Sequence, residues 1–160
     1  MTKNIKNKIY TLVCIFILFF CANAFAQNFF KKANITDIVI DYAGKVFING
    51  EKAVDGDEIG VFVDDGNGGE LIVGSAIIGN IADGQYFVHI YGDDSTTPKK
   101  DGAMVGDQLI FRFRQKSSKK TFIISPAYMK AVPTKNVSLP SIPPVFNINA
   151  QQVGLLNIDI

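Results

Sequence analysis

Few side chains in this chain are suited to chemistry. Its single histidine is His89, and both cysteines, Cys14 and Cys21, precede residue 27. A Ser-His-Asp arrangement would need His89 to meet a serine such as Ser75 or Ser95 and an acid such as Asp93, and no spacing enforces that. His89 sits between Val88 and Ile90 in an alternating run, the setting of a structural histidine packed beside Tyr91. The carboxylates are more suggestive. Asp64-Asp65 and Asp93-Asp94 each end an apolar run and open a glycine-containing loop, so four carboxylates would crowd one end of the fold if the loops share an edge. No cofactor is required by this pattern, but calcium, an ion that takes oxygen ligands from flexible loops, is the one such a cluster would hold. Gly66 and Gly68 stand where the helix-loop-helix calcium motif needs oxygen-bearing side chains, so that motif is absent. Ordinary turn chemistry is the competing reading of the same aspartates.

Glycoside hydrolysis would need two acids at a defined separation. Adjacent residues on a strand point in opposite directions, so Asp93 and Asp94 cannot form that pair by themselves. Binding without catalysis is better supplied. Tyr86 and Tyr91, with Phe87, could offer aromatic platforms, and Thr96 and Thr97, with Asp93 and Asp94, could hydrogen-bond hydroxyl groups of a glycan; the chain has no tryptophan. A basic cluster, Arg112, Arg114, Lys116, Lys119 and Lys120, reads as a solvated strand edge with anion binding as its alternative.

The elements that must position these groups begin after an export signal. Lys3, Lys6 and Lys8 form a positive n-region, Ile9 to Cys21 is almost unbroken apolar sequence, and Ala24-Phe25-Ala26 supplies the small residues of a cleavage site. Residues 1–26 are therefore expected to be removed. The apolar core from Ile9 to Phe20 is also too short for a bilayer-crossing helix, which needs roughly 20 residues, so no membrane span is expected after cleavage. A lipid anchor on Cys21 is disfavoured by the bulky Phe19 and Phe20 before it. The full chain has 16 basic and 15 acidic residues; without the three leader lysines the balance is 13 to 15, a formal charge of −2. That balance argues against nucleic acid as a partner. With both cysteines in the leader, the mature chain has no thiol for a disulfide, a metal or nucleophilic catalysis.

From Ile38 to Val132 the pattern alternates with period two and is punctuated by turns, which predicts an all-β, immunoglobulin-like or related β-sandwich. Strands are expected over Ile38–Tyr42, then through Ala43-Gly44 into Lys45–Ile48, with Asn49-Gly50 as a tight hairpin turn. Ile59–Val63, Glu70–Ile78, Gln85–Tyr91, Gln108–Arg114 and Thr121–Ser125 follow. Gln85–Tyr91 reads as a central strand, apolar on both faces. Gly60 and Gly74 interrupt apolar runs, which predicts close backbone approach or a bulge. The division is a leader at 1–26, an extension at 27–34 whose Phe29 and Phe30 pack on the domain or on a partner, a domain at 35–132, and a proline-rich tail at 133–160. The tail ends in Val153, Leu155, Leu156, Ile158 and Ile160. This segment either closes its own sheet or pairs with another chain, because an unpaired apolar strand is an edge-pairing hazard.

Two segments resemble an accessory module of multidomain exported bacterial proteins. The first is Val54-Asp55-Gly56-Asp57-Glu58-Ile59-Gly60-Val61-Phe62, followed after an acidic loop by the glycine-containing run Leu71 to Ala76. The second is Val88 to Gly102 with Gly106-Asp107 and Ile110-Phe111-Arg112. The resemblance implies a β-sandwich with no catalytic role, often found beside sorting and adhesion domains. The expectation is a noncatalytic secreted, periplasmic or cell-surface module whose partner is an extracellular protein, a glycan or itself. A self-assembling pilin-like or matrix subunit built through the C-terminal strand is the alternative, and a carbohydrate-active enzyme the weaker one.

Overall fold

The computed structural model describes residues 28–135, 139–148 and 153–160. The leader, with its cleavage site and both cysteines, lies outside the described residues. Among the described residues no helix is long and apolar enough to cross a membrane.

The regular structure of the described residues is almost entirely β, in two sheets. The strands are β1 (Val39–Ile48), β2 (Glu51–Lys52), β3 (Glu58–Asp64), β4 (Glu70–Ile77), β5 (Gln85–Tyr91), β6 (Ile110–Arg114), β7 (Thr121–Ile123), β8 (Met129–Ala131) and β9 (Val153–Asp159). One sheet runs β2-β1-β9-β8 with β5 also paired to β1, and the other runs β4-β3-β6-β7. Among these strands pairing is antiparallel except where β9 lies parallel to β1. The core fills the space between the sheets because alternate residues of each strand point inward. Ile59, Val61 and Val63 of β3, Phe111 and Phe113 of β6, Tyr86, Val88 and Ile90 of β5, and Leu156 and Ile158 of β9 are all fully buried there.

The Asn49-Gly50 hairpin forms as its sequence requires: both residues adopt positive φ, 52° and 80°, and Ile48 pairs with Glu51. Gly60 and Gly74 both mark close approaches, Gly60 beneath the Phe30 ring and Gly74 against the His89 carbonyl. The register between β3 and β4 also shifts between Val61 and Phe62.

Two expectations about strands change. Ala43-Gly44 does not divide the first strand, for β1 is continuous over ten residues. Gly44 is there because the backbone of β9 crosses it so closely that a Cβ would lie 1.9 Å from the Leu156 oxygen. Among the named strands, β5 pairs with β1 alone. Its Phe87, His89 and Tyr91 form a row of neighbouring rings on the outer face, and the Asn80 side chain occupies its free edge by bonding both the N–H and the C=O of Phe87. An amide there replaces a neighbouring strand, which explains how an apolar strand tolerates that position.

The core reaches past Val132. Phe146 is 1% exposed and is held by backbone bonds to Gly106 and Asp107. Beyond it, β9 lies between β1 and β8. The segment at 35–132 is therefore not a self-contained packing unit: the proline-containing stretch is laid along Gly106–Leu109, and the final strand completes the first sheet.

Candidate functional site

The Gly56-Asp57-Glu58-Ile59-Gly60 run lies where three parts of the chain meet, and each residue has a distinct physical task. Asp57, 1% exposed, is the one buried charged residue among the described residues. Its Oδ2 accepts the Val54 N–H at 3.2 Å and its Oδ1 accepts the Lys116 N–H at 2.8 Å, so one carboxylate joins the turn before β3 to the turn after β6. Glu58 points to the opposite side of the sheet. Its two oxygens accept the N–H groups of Phe29 and Phe30 at 2.9 and 3.0 Å, which pins the N-terminal segment across the outer face. Ile59 returns to the core, and Gly60 leaves the space that Phe30 fills. Phe30 also meets Phe62 edge to face at 5.8 Å. Phe29 and Phe30 thus pack on their own domain.

This N-terminal segment walls two adjoining open cavities on the outer surface. The larger, about 560 Å³, is lined by Asn28, Phe29, Lys31, Gly56, Glu58, Ile77, Arg114, Lys116 and Lys119. The second, about 360 Å³, shares Asn28, Glu58 and Ile77 and continues past Lys32, Ser75 and Asn80 to His89 and Tyr91. Arg114 is held on two sides: its guanidinium lies 3.7 Å from the centre of the Phe29 ring and donates to the Lys119 carbonyl at 2.6 Å. Among the described residues Glu58 is the single carboxylate lining either cavity, and both its oxygens already serve the N-terminal segment.

His89 bonds Asp41 through Nδ1 at 2.6 Å across the β1–β5 pair. Ser75 is engaged elsewhere, donating to the Lys31 carbonyl at 3.3 Å.

The four sequence-selected aspartates each hold their own turn. Asp64 accepts from the Gly66 N–H, and Asp65 from those of Asn67 and Gly69. Asp93 accepts from Asp101 and Gly102, and Asp94 from both the N–H and the hydroxyl of Thr96. Asp101 returns the contact by accepting from the Asp94 N–H, which clasps the long loop shut. The two acidic turns do approach one another, but Lys100 links them, donating to the Asp64 carbonyl at 2.6 Å and pairing with Asp107 at 2.7 Å. Among the described residues, no group of three or more His, Cys, Asp and Glu is placed to hold a metal ion.

Of the residues selected for a ligand surface, Tyr86 is in the core. It is fully buried and its hydroxyl donates to the Leu156 carbonyl at 2.7 Å, so it offers nothing to a ligand; burial, with Tyr42 nearby, pushes its hydroxyl far above the usual tyrosine range. Alternation along β5 is the reason, since Tyr86 shares the inward face with Val88 and Ile90. Tyr91 lines the smaller cavity, whereas Thr96 and Thr97 are used within the Asp94 turn. Val153, Leu155, Leu156, Ile158 and Ile160 belong to the end of the chain containing β9, with Leu156 and Ile158 buried and Ile160 packed against the core. The basic cluster is split. Arg112 pairs with Glu70 and lies over Phe62, Lys120 lines a separate cavity near Ile160, and Lys31, unselected from the sequence, joins Arg114, Lys116 and Lys119.

The acidic turns carry a pH dependence of definite sign. Backbone N–H bonds, from Asn67 and Gly69 to Asp65 and from Thr96 to Asp94, hold both carboxyls below the ordinary 3.8. A depressed folded-state value stabilises the fold above the unfolded value and is lost as pH falls through the folded one. The melting temperature should therefore fall less steeply with acid below pH 3.8 in the Asp65→Asn/Asp94→Asn protein, whose amide oxygens can still accept the turn bonds. Identical acid slopes for variant and wild type would refute it.

No family model matches the chain, and neither a curated protein nor a solved structure matches it significantly.

Proposed function

We propose that this chain is a noncatalytic binding or structural module of an exported or cell-surface protein, of the β-sandwich accessory type that its two sequence blocks resemble. The observation supporting this most directly is the pair of adjoining cavities on the outer face, walled by an N-terminal segment that Glu58 fastens down. Open, largely preformed concavities with convergent polar groups are characteristic of ligand sites, and here Glu58, Ile77 and Arg114 of the sheet form a floor that the N-terminal segment and the turn after β6 wall in. Co-sedimentation of folded residues 27–160 with envelope and matrix fractions of the source cells tests the reading. Saturable retention by one fraction is expected. Absence of retention by any fraction, or turnover of a substrate abolished by one polar substitution, would remove it.

The self-assembling alternative now has a narrower form. Because β9 bonds β1 on one side and β8 on the other, its apolar residues can join two chains only by strand exchange. Mature protein that stays monomeric at high concentration would eliminate that route.

A further inference from the structure

We propose that the larger cavity is an anion site for an acidic glycan, one carrying carboxylates at intervals along the sugar chain; this rests on the binding-module reading and specifies its ligand. Residues 27–160 are formally negative, yet Lys31, Arg114, Lys116 and Lys119 converge on one cavity, and Lys32 extends the row into the next. None of the four ion pairs formed among the described residues includes any of these five cations. Glu58, the carboxylate in the cavity lining, has both oxygens committed to backbone N–H groups, and Asp57 spends its oxygens on the N–H groups of Val54 and Lys116. Gathering five cations around a single lining carboxylate leaves an excess of positive charge, and a bound polyanion relieves the repulsion.

The cations are also held in place by structural features that would otherwise be costly. Lys119 takes φ of 57°, a left-handed conformation that a glycine would adopt more easily. There its carbonyl receives Arg114, whose other face rests on Phe29. Lys116 follows from two features: buried Asp57 grips its N–H, and its side chain lies over Gly56 so closely that a Cβ there would come 2.8 Å from Nζ. Strain and a buried carboxylate thus serve to hold positive groups around one opening.

The cavity's location selects glycan over acidic peptide. It lies on the face of the second sheet, above Glu58 of β3 and Arg114 of β6, which are paired with each other in the ladder. Of its lining residues on strands, Glu58 and Arg114 lie on the paired strands β3 and β6 and only Ile77, the last residue of β4, lies on an edge strand, so little backbone is offered for sheet augmentation. Ile77 and Phe29 present apolar surface suited to the C–H faces of a sugar ring, while Asn28 brings an amide able to bond hydroxyl groups beside the cations. Lysines, as point charges on flexible stems, tolerate the variable spacing of carboxylates on a polysaccharide.

The test is calorimetric titration of residues 27–160 with an oligogalacturonate, a neutral gluco-oligosaccharide of equal length, and polyglutamate. Binding of the oligogalacturonate alone is expected, weakening with salt and falling by about tenfold or more in Lys116→Glu/Lys119→Glu. The control, Lys45→Glu/Lys130→Glu, makes the same change in net charge at two exposed sites on the first sheet and should bind as the wild type does. Equal loss in both double variants, undiminished binding in the cavity variant, or equal affinity for polyglutamate would overturn the glycan site. Failure to bind oligogalacturonate by protein that is still retained on an envelope fraction would overturn the ligand class and leave the binding-module reading standing. Matching melting curves for all variants establish that each is folded.

Discussion

A chain that stops at Val132 will not fold. The prediction rests on the position of β9, inserted between β1 and β8 with Leu156 and Ile158 fully buried. Truncation also removes Phe146 from the core. Burying one such side chain contributes roughly 1.5–3 kcal/mol, so these three alone account for about 5–9 kcal/mol, against a total stability of about 5–15 kcal/mol for an ordinary domain. The losses do not end there. β8, three residues long, loses the strand it pairs with, and the buried Tyr86 hydroxyl loses its acceptor on Leu156; leaving such a group unpaired costs about 1–3 kcal/mol more. Circular dichroism of residues 27–132 should show no cooperative melt, and Leu156→Ala in the full chain should lose about 2–5 kcal/mol. A truncated protein that melts cooperatively within a few degrees of the full chain would show that β9 is an accessory and not part of the domain.

How far the sequence reveals this structure depends on the distance over which each feature is determined. Alternation is local, so the inward sets Ile59-Val61-Val63 and Leu109-Phe111-Phe113 could be assigned directly, as could the Asn49-Gly50 turn. Pairing partners are not local. The apolar pattern of Val153–Ile160 suits an internal strand as well as an external one, and only the approach of Leu156 to Gly44, with the matching closeness of Gly154 to the Tyr42 ring, distinguishes them. A glycine inside a strand is visible in the sequence; the backbone that needs it, more than a hundred residues away, is not. The ligand-surface candidates divide for the same reason. Tyr86 and Tyr91 look equivalent by type, but they lie at positions of opposite parity, and parity sends Tyr86 inward. The cation cluster was half visible, because Arg114, Lys116 and Lys119 are neighbours in sequence, whereas Lys31 arrives from the N-terminal segment through a carboxylate that accepts two backbone N–H groups.

Asp57 is the residue whose loss should unite stability and binding. A buried carboxylate is normally a liability, and it persists here because Val54 and Lys116 present backbone donors that would otherwise be left without acceptors. Asp57→Ala strips both at once, at about 1–3 kcal/mol for each buried group left unpaired, so a total near 3 kcal/mol and a melting temperature lower by roughly 10 °C are expected. Asp57→Asn separates the two consequences. Its amide can accept from only one of the two N–H groups, and facing the other it presents a donor to a donor. That variant should stay folded at reduced stability while the turn from Lys116 to Lys120 loosens, carrying Lys116 and Lys119 away from Arg114. Hydrogen exchange should then quicken at Lys116 and Val54 and leave β1 and β9 protected, and affinity for the anionic oligosaccharide should fall without any change in the charges that line the cavity. Undiminished affinity in a protein with those faster-exchanging amides would mean that the cations need no fixed placement, and the site would then be a diffuse positive surface instead of a built one.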